Sequence, residues 1–311
     1  MAYTLRVSVL EQCQLRCNYC LPEGNLLHGK KHDWLTIAQY QTIAHALKPL
    51  EVEKVRFTGG EPLLRSDLHE IMHVFRKCLG NSQIALTTNG LRFSHCMRDL
   101  ISAGLDQVTF HLDTLREDRY EGLMGKGTVR TVLENIDKAV LSNLTVKINV
   151  VVQKNVNDDE LVDFLLLSQS MPVKVRFIEL MNTGSAKTYV KDVFVSGQEI
   201  LKKIEAHSKV IPLGRPKKSS PAETYLAEKL GVKFGLIASD TQPFCANCNR
   251  LRLSADGRLR TCLYEPFGQK LSASVGDKLS EEISAIVARK TSFHPLIRKN
   301  RQDFSMSEIG G

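Results

Sequence analysis

Six of the eight cysteines in this 311-residue chain fall into two groups of three. Cys13, Cys17 and Cys20 have C-x3-C-x2-C spacing, with Tyr19 beside the last of them; Cys245 and Cys248 form a C-x2-C pair, followed after thirteen residues by Cys262. A structural zinc ion normally takes four protein ligands, whereas a four-iron cluster held by three thiolates keeps one iron open for another molecule. The first trio therefore reads as a cluster site, against two alternatives: zinc completed by His28 or His32, or three unrelated thiols. The second trio also fits a zinc ribbon short of one ligand. The remaining pair, Cys78 and Cys96, reads as buried thiols.

Cations accompany the second trio. Arg250 and Arg252 follow Cys248 in the run Asn-Arg-Leu-Arg-Leu-Ser, and residues two apart on an extended segment face the same side. Guanidinium forks beside an open coordination position suit phosphate oxygens. The formal net charge of +8 agrees with an anionic partner, although a solvated lysine-rich exterior gives the same sign. A zinc-binding nucleic-acid module is the reading from another class. It needs complete four-ligand sites and usually stacking aromatics, yet aromatics make up only 6% and neither trio has an evident fourth ligand.

These groups must be held by a scaffold. Short β-rich runs at 5–10, 54–57, 84–87, 107–110, 145–152 and 174–178 alternate with helical patterns at 35–47, 67–78, 95–103, 129–141 and 158–169. Such alternation predicts a parallel sheet with helical crossovers. Six units fall short of a closed eightfold barrel, so the expected fold is α/β, a partial (β/α)6 barrel, with an open doubly wound sheet as the alternative. The loops after the strands carry the cysteine cluster, Thr58-Gly59-Gly60-Glu61-Pro62, Thr88-Asn89-Gly90, His111-Leu112-Asp113 and Glu179-Leu180-Met181-Asn182. The chemistry thus gathers at the C-terminal end of the sheet, where parallel α/β folds bind ligands.

A turn-rich basic stretch, Pro212 to Pro221, reads as a surface loop and divides the chain into 1–211 and a C-terminal region, 212–311, with a helix expected at 279–289. The composition, 42% hydrophobic and 24% charged, is that of a soluble globular protein with a sizeable core. The first residues lack an apolar h-region, and no apolar run approaches membrane-spanning length, so a cytoplasmic protein is expected. Thiols there stay mostly reduced, which favours metal binding, catalysis or simple burial over a disulfide framework.

A cysteine trio just past the first strand, with Gly59-Gly60-Glu61-Pro62 after the second, resembles the radical S-adenosylmethionine (SAM) enzymes. Within them the chain is similar to the GTP 3′,8-cyclases of molybdenum cofactor biosynthesis. That similarity runs from Leu5-Arg6-Val7-Ser8-Val9 through 56–63, 177–181, Phe244-Cys245 and 253–257 to the terminal Ile309-Gly310-Gly311. The nearest rival is another two-cluster radical SAM enzyme acting on a peptide or a different metabolite.

The resemblance implies a partial radical-SAM barrel with a C-terminal iron-sulfur region. It implies that Cys13, Cys17 and Cys20 hold the SAM-binding [4Fe-4S] cluster and that Cys245, Cys248 and Cys262 hold a second, whose open iron takes the guanine of GTP. Tyr19, Gly59, Gly60, Glu61, His111 and Met181 would then line SAM. Arg6, Arg56, Thr87, Lys147, Arg250 and Arg252 would contact GTP. Arg176 and the Gly310-Gly311 tail would act in catalysis together with the arginine pair.

The implied reaction starts from a 5′-deoxyadenosyl radical that takes hydrogen from C3′ of the GTP ribose. Bonding of C3′ to C8 and reduction then give 3′,8-cyclo-7,8-dihydro-GTP. Implied partners are GTP, an unidentified electron donor and a MoaC-type cyclic pyranopterin monophosphate synthase, with the chain a homodimer or monomer and neither nucleic acid nor membrane involved. The chain departs from the family pattern at His111, usually serine, at Glu11-Gln12, usually Asp-Arg, and in the tail at Phe304-Ser305-Met306-Ser307.

Overall fold

The computed structural model describes residues 2–20, 34–181, 187–265 and 267–292. Six strands follow one another in chain order: β1 (Tyr3–Ser8), β2 (Val52–Thr58), β3 (Gln83–Thr88), β4 (Gln107–His111), β5 (Thr145–Val152) and β6 (Val173–Glu179). Each pairs in parallel with the next. The crossovers are α1 (Ile37–Ala46), α2 (Leu68–Cys78), α3 (Phe93–Ser102), α4 (Glu117–Met124) with α5 (Val129–Leu141), and α6 (Leu161–Ser170). Beyond them lie α7 (Lys187–Val193) and α8 (Gly197–Glu205).

The rest of the chain extends both edges of this sheet. β9 (Val232–Ile237) lies parallel to β6 and carries β8 (Glu223–Ala227) and β7 (Val210–Gly214) antiparallel beyond it. At the other edge β10 (Arg250–Leu253) lies parallel to β1, followed by β11 (Arg258–Arg260) and β12 (Gln269–Lys270). Helix α9 (Asp277–Ala288) comes last. Among the described residues the twelve-stranded order ends at β12 and β7 without the two edges pairing, so the barrel is partial, as expected. No described helix is long and apolar enough to cross a membrane.

Strand alternation decides where the site lies. Leu5, Val7, Val55, Phe57, Ile148, Val150, Val175 and Phe177 are buried in one core with Ile71, Phe75, Ile136 and Phe164 of the helices. Edge-to-face ring pairs, Phe57 with Phe75 at 5.5 Å and Phe164 with Phe177 at 6.4 Å, tie sheet to helix. The intervening positions, Thr4 and Arg6, Lys54 and Arg56, Lys147 and Asn149, and Arg176, line a cavity of about 830 Å³. A parallel sheet covered on both faces would be apolar throughout. Here one face is polar, so the concave side encloses a binding space.

The stretch expected as a surface loop after Val210 is a different structure. Its first part is β7, an edge strand, which is where a sheet tolerates a proline such as Pro212. Its second part, with Pro216, Lys217 and Ser219 to Pro221, lines the cavity, and Lys217 pairs with Glu53 at 2.6 Å.

Candidate active site

The cysteine loop after β1 is fastened by the turn after β2. Gly60 N donates to Leu10 O at 2.9 Å, and Glu61 N donates to Gln12 O at 2.8 Å. The two glycines are expected to make room for the methionine part of SAM, and both line the cavity. The space that a Cβ would fill, however, belongs to the cysteine loop: on Gly59 it would stand 2.5 Å from Leu10 O, and on Gly60 2.2 Å from Gln12 O. Gly60→Ala will therefore displace the first trio, and iron bound after reconstitution will fall by about four per chain. Iron counting at the wild-type level would show that the loop tolerates the shift. Glu61 is likewise turned to protein: its carboxylate accepts Leu63 N at 3.0 Å, Thr88 Oγ1 at 2.7 Å and Asn89 N at 2.8 Å. Burial raises Glu61 to about 7 against these bonds.

Cys13, Cys17 and Cys20 all face the cavity. Burial pushes Cys13 up to about 12, Cys20 to about 11 and Cys17 well above the usual thiol value. A bound metal replaces such protons. Tyr19, between the last two, donates to Asp113 Oδ2 at 2.6 Å and meets His111 Nε2. That ring nitrogen lies 3.1 Å from the same carboxylate oxygen. Asp113 is itself fixed by Val151 N at 2.7 Å. Burial pulls His111 down, but Asp113 outweighs it and holds the imidazole above its ordinary value. The residue that departs from the family pattern is thus built into a Tyr-His-Asp network beside the first trio.

The second trio sits at the other end of the strands. Cys245 opens a 3-10 turn just before β10, and Cys262 follows β11. All three line the same cavity, whereas β1 delivers the first trio from its C-terminal end. Arg250 Nη2 donates to Cys248 Sγ at 3.0 Å, and its guanidinium stacks 4.5 Å from the Phe244 ring centroid. Burial raises the Cys248 thiol, but Arg250 and Lys290 outweigh this and leave it below the ordinary value. Met181 packs with Tyr264, Leu263 and Cys262 at the cavity wall, so it stands beside the second trio.

Between the trios lies a register of cations. Arg6 is paired on one side with Arg252 of β10 and on the other with Arg56 of β2. Arg56 Nη1 donates to Thr87 Oγ1 and Thr109 Oγ1, each at 3.0 Å. Arg176 Nη2 reaches the Thr109 hydroxyl at 3.5 Å. Burial first, then neighbouring cations, lowers Lys147 to about 6, Lys54 to about 8 and Arg252 to about 10. Burial alone lowers Arg56 to about 10. Like charges in adjacent register are destabilising. Two further donors, Arg176 Nε and Arg250 Nη1, are buried without a hydrogen-bond partner. This cradle of cations and unmet donors fits a polyphosphate.

The structure thus gathers every predicted site residue that it describes around one cavity. Gly310, Gly311, His28 and His32 lie outside the described residues. The sequence reading missed Lys54, Thr109, Asn149 and Lys217. The first three sit two residues from Arg56, His111 and Lys147 in their strands, so strand alternation was the signal; Lys217 had none. The donor chemistry of both trios fits three-thiolate ligation of a cluster. Among the described residues no three His, Cys, Asp or Glu side chains are drawn together as they would be around a single ion.

The profile of the Radical SAM superfamily matches residues 7–167, and that of Molybdenum Cofactor Synthesis C matches residues 173–296. The fold is similar to Streptococcus suis SuiB bound to S-adenosylmethionine, with a TM-score of 0.57 and 12% identity, covering 91% of this chain and 66% of that one. Native anSMEcpe with bound AdoMet and Cp18Cys peptide gives a TM-score of 0.51 and 14% identity, covering 66% and 58%. The site and fold therefore define a radical SAM enzyme, a class that works with SAM and an iron-sulfur cluster. A GTP 3′,8-cyclase of Clostridium botulinum is 36% identical over 315 residues, covering 99% of this chain and 97% of that one. One from Peptoclostridium acidaminophilum is 40% identical over 286 residues, covering 91% and 86%. The chain belongs to the GTP 3′,8-cyclase family.

Proposed function

We propose that this chain is the GTP 3′,8-cyclase of molybdenum cofactor biosynthesis and that it works with two four-iron clusters, one at each end of the cavity. The observation that carries this reading is the cation register, Arg252, Arg6 and Arg56 on adjacent strands, set between two cysteine trios. When bound, SAM and a reduced cluster at the first trio would supply the one-electron chemistry that takes the C3′ hydrogen of the GTP ribose into 5′-deoxyadenosine; closing the bond from C3′ to C8 of guanine as 3′,8-cyclo-7,8-dihydro-GTP then needs one further electron, from an unidentified donor, and one proton.

The protein's own residues bind and orient. The arginines and Lys147 would hold the triphosphate, and Cys245, Cys248 and Cys262, from the region beginning at 212, would hold the second cluster beside the base. Tyr19 and His111, braced by Asp113, shape the SAM end. The cavity walls keep water from reactive species. The product then serves a MoaC-type cyclic pyranopterin monophosphate synthase.

The test is an anaerobic assay of reconstituted protein with SAM, dithionite and GTP. The expected outcome is about eight irons per chain, from two four-iron clusters, with both 5′-deoxyadenosine and cyclised GTP found by mass spectrometry. Deoxyadenosine without cyclised GTP would favour a different substrate, and stoichiometric zinc with neither product would overturn the reading of both trios.

A further inference from the structure

Among the described residues, Lys290 is the lysine with the least solvent exposure, 8%. It lies in the 3-10 turn Arg289–Ser292 that follows α9. Its ammonium donates to Arg250 O at 2.7 Å and to Thr261 O, and stands 3.8 Å from Cys248 Sγ. Three donors thus meet three acceptors, the full capacity of an ammonium. It does not line the cavity, which separates it from the cations facing the nucleotide.

The acceptors explain its position. β10 and β11 pair at Arg252 with Arg260 and at Leu253 with Leu259. Continued toward Cys248, that register would set Leu251 opposite Thr261 and Arg250 opposite Cys262, but the ladder stops there. The two segments part where each delivers a cysteine. Lys290 fills the gap, bonding one carbonyl from each segment, Arg250 O and Thr261 O, the latter next to Cys262. A neutral apolar side chain would leave both carbonyls buried and unmet.

We infer that Lys290 is a positioning residue for the second cluster: it sets the separation of the Cys248 and Cys262 segments and places its ammonium against a ligand sulfur. Hydrogen bonds and charge at ligand sulfurs tune cluster potential. A cation nearby stabilises the reduced, more negative state, so Lys290 raises the midpoint potential of this cluster. It also connects that cluster to the end of α9.

The inference rests on the two-cluster reading, and the experiment separates the two. Wild-type protein with only about four irons per chain removes the two-cluster reading and Lys290's role with it. With about eight bound, three variants are compared: Lys290→Met, Lys290→Gln and Lys290→Arg. Midpoint potentials are read by EPR-monitored titration in a background of Cys13→Ala, Cys17→Ala and Cys20→Ala, which isolates the second cluster. Lys290→Gln, which keeps a donor without the charge, is expected to lower the potential while keeping the iron. Lys290→Met is expected to lower it further or, with the first trio present, to leave about four irons and intact SAM cleavage. Lys290→Arg is expected to restore the wild-type potential. Full iron with an unchanged potential in both Lys290→Met and Lys290→Gln would remove Lys290 alone.

Discussion

Lys147→Met will make the empty protein more stable to heat and at the same time weaken GTP binding by about 30-fold or more. The two effects have one cause. Lys147 stands on the polar face of β5, and burial followed by the charges of Arg176, Lys54, Arg56 and Lys174 lowers it to about 6. Unfolding frees it to take up a proton, so the empty fold carries a penalty in keeping the amine there. Methionine fills similar space without that penalty. With nucleotide bound the balance reverses, because removing one partner of a buried charge pair costs about 2 to 5 kcal/mol.

The pH dependence gives the sign independently. Because the folded value is depressed, the unfolded state binds more protons between about 6 and the ordinary lysine value. Stability of the empty protein therefore rises with pH through that window, and the penalty is complete below about 6. Bound phosphate raises Lys147 again, so GTP binding takes up a proton near neutral pH and weakens as pH rises. Calorimetry in buffers of different ionisation enthalpy measures that uptake, and Lys147→Met is expected to reduce it. Equal proton uptake by wild type and variant would show that another group titrates.

The parts of this site that sequence made legible are those whose chemistry is local. A C-x3-C-x2-C loop announces itself by spacing, and Val129–Leu141 shows its helical period whatever surrounds it. The edge extensions were not legible. β9 beside β6 and β10 beside β1 are pairings of distant segments, and Pro212 and Gly214 in β7 carry turn chemistry that only an edge position reconciles with a strand. Helix α8 went unread although a capping box of Ser196 and Glu199 opens it. Gly59 and Gly60 illustrate a further limit. Their type was readable as a requirement for close approach, but what approaches, the Leu10 to Gln12 backbone, is a fact of tertiary structure.

Cys262→Ser will abolish cyclised GTP yet leave measurable 5′-deoxyadenosine, whereas Cys17→Ser will abolish both. The difference follows from where the trios stand. Cys17 lies in the loop after the C-terminal end of β1, beside the Gly59 and Gly60 turn and Tyr19. Cys262 follows β11 and, like Met181, packs against Tyr264. The two loops share a cavity but leave the parallel strands β1 and β10 from opposite ends, so losing metal at one trio need not unfold the other's loop. A cluster at the first trio can still cleave SAM when the base end is lost, but the ribose is no longer held at the reacting position, and misplacement alone removes orders of magnitude in rate. Iron should fall to about four per chain in each variant, which makes the product pattern, not the metal count, the discriminating readout. If Cys262→Ser kept full cyclase activity, the second trio would be structural. If it lost deoxyadenosine as well, the two ends would be coupled through the nucleotide or the fold, and the cation register between them would be the first place to look for that coupling.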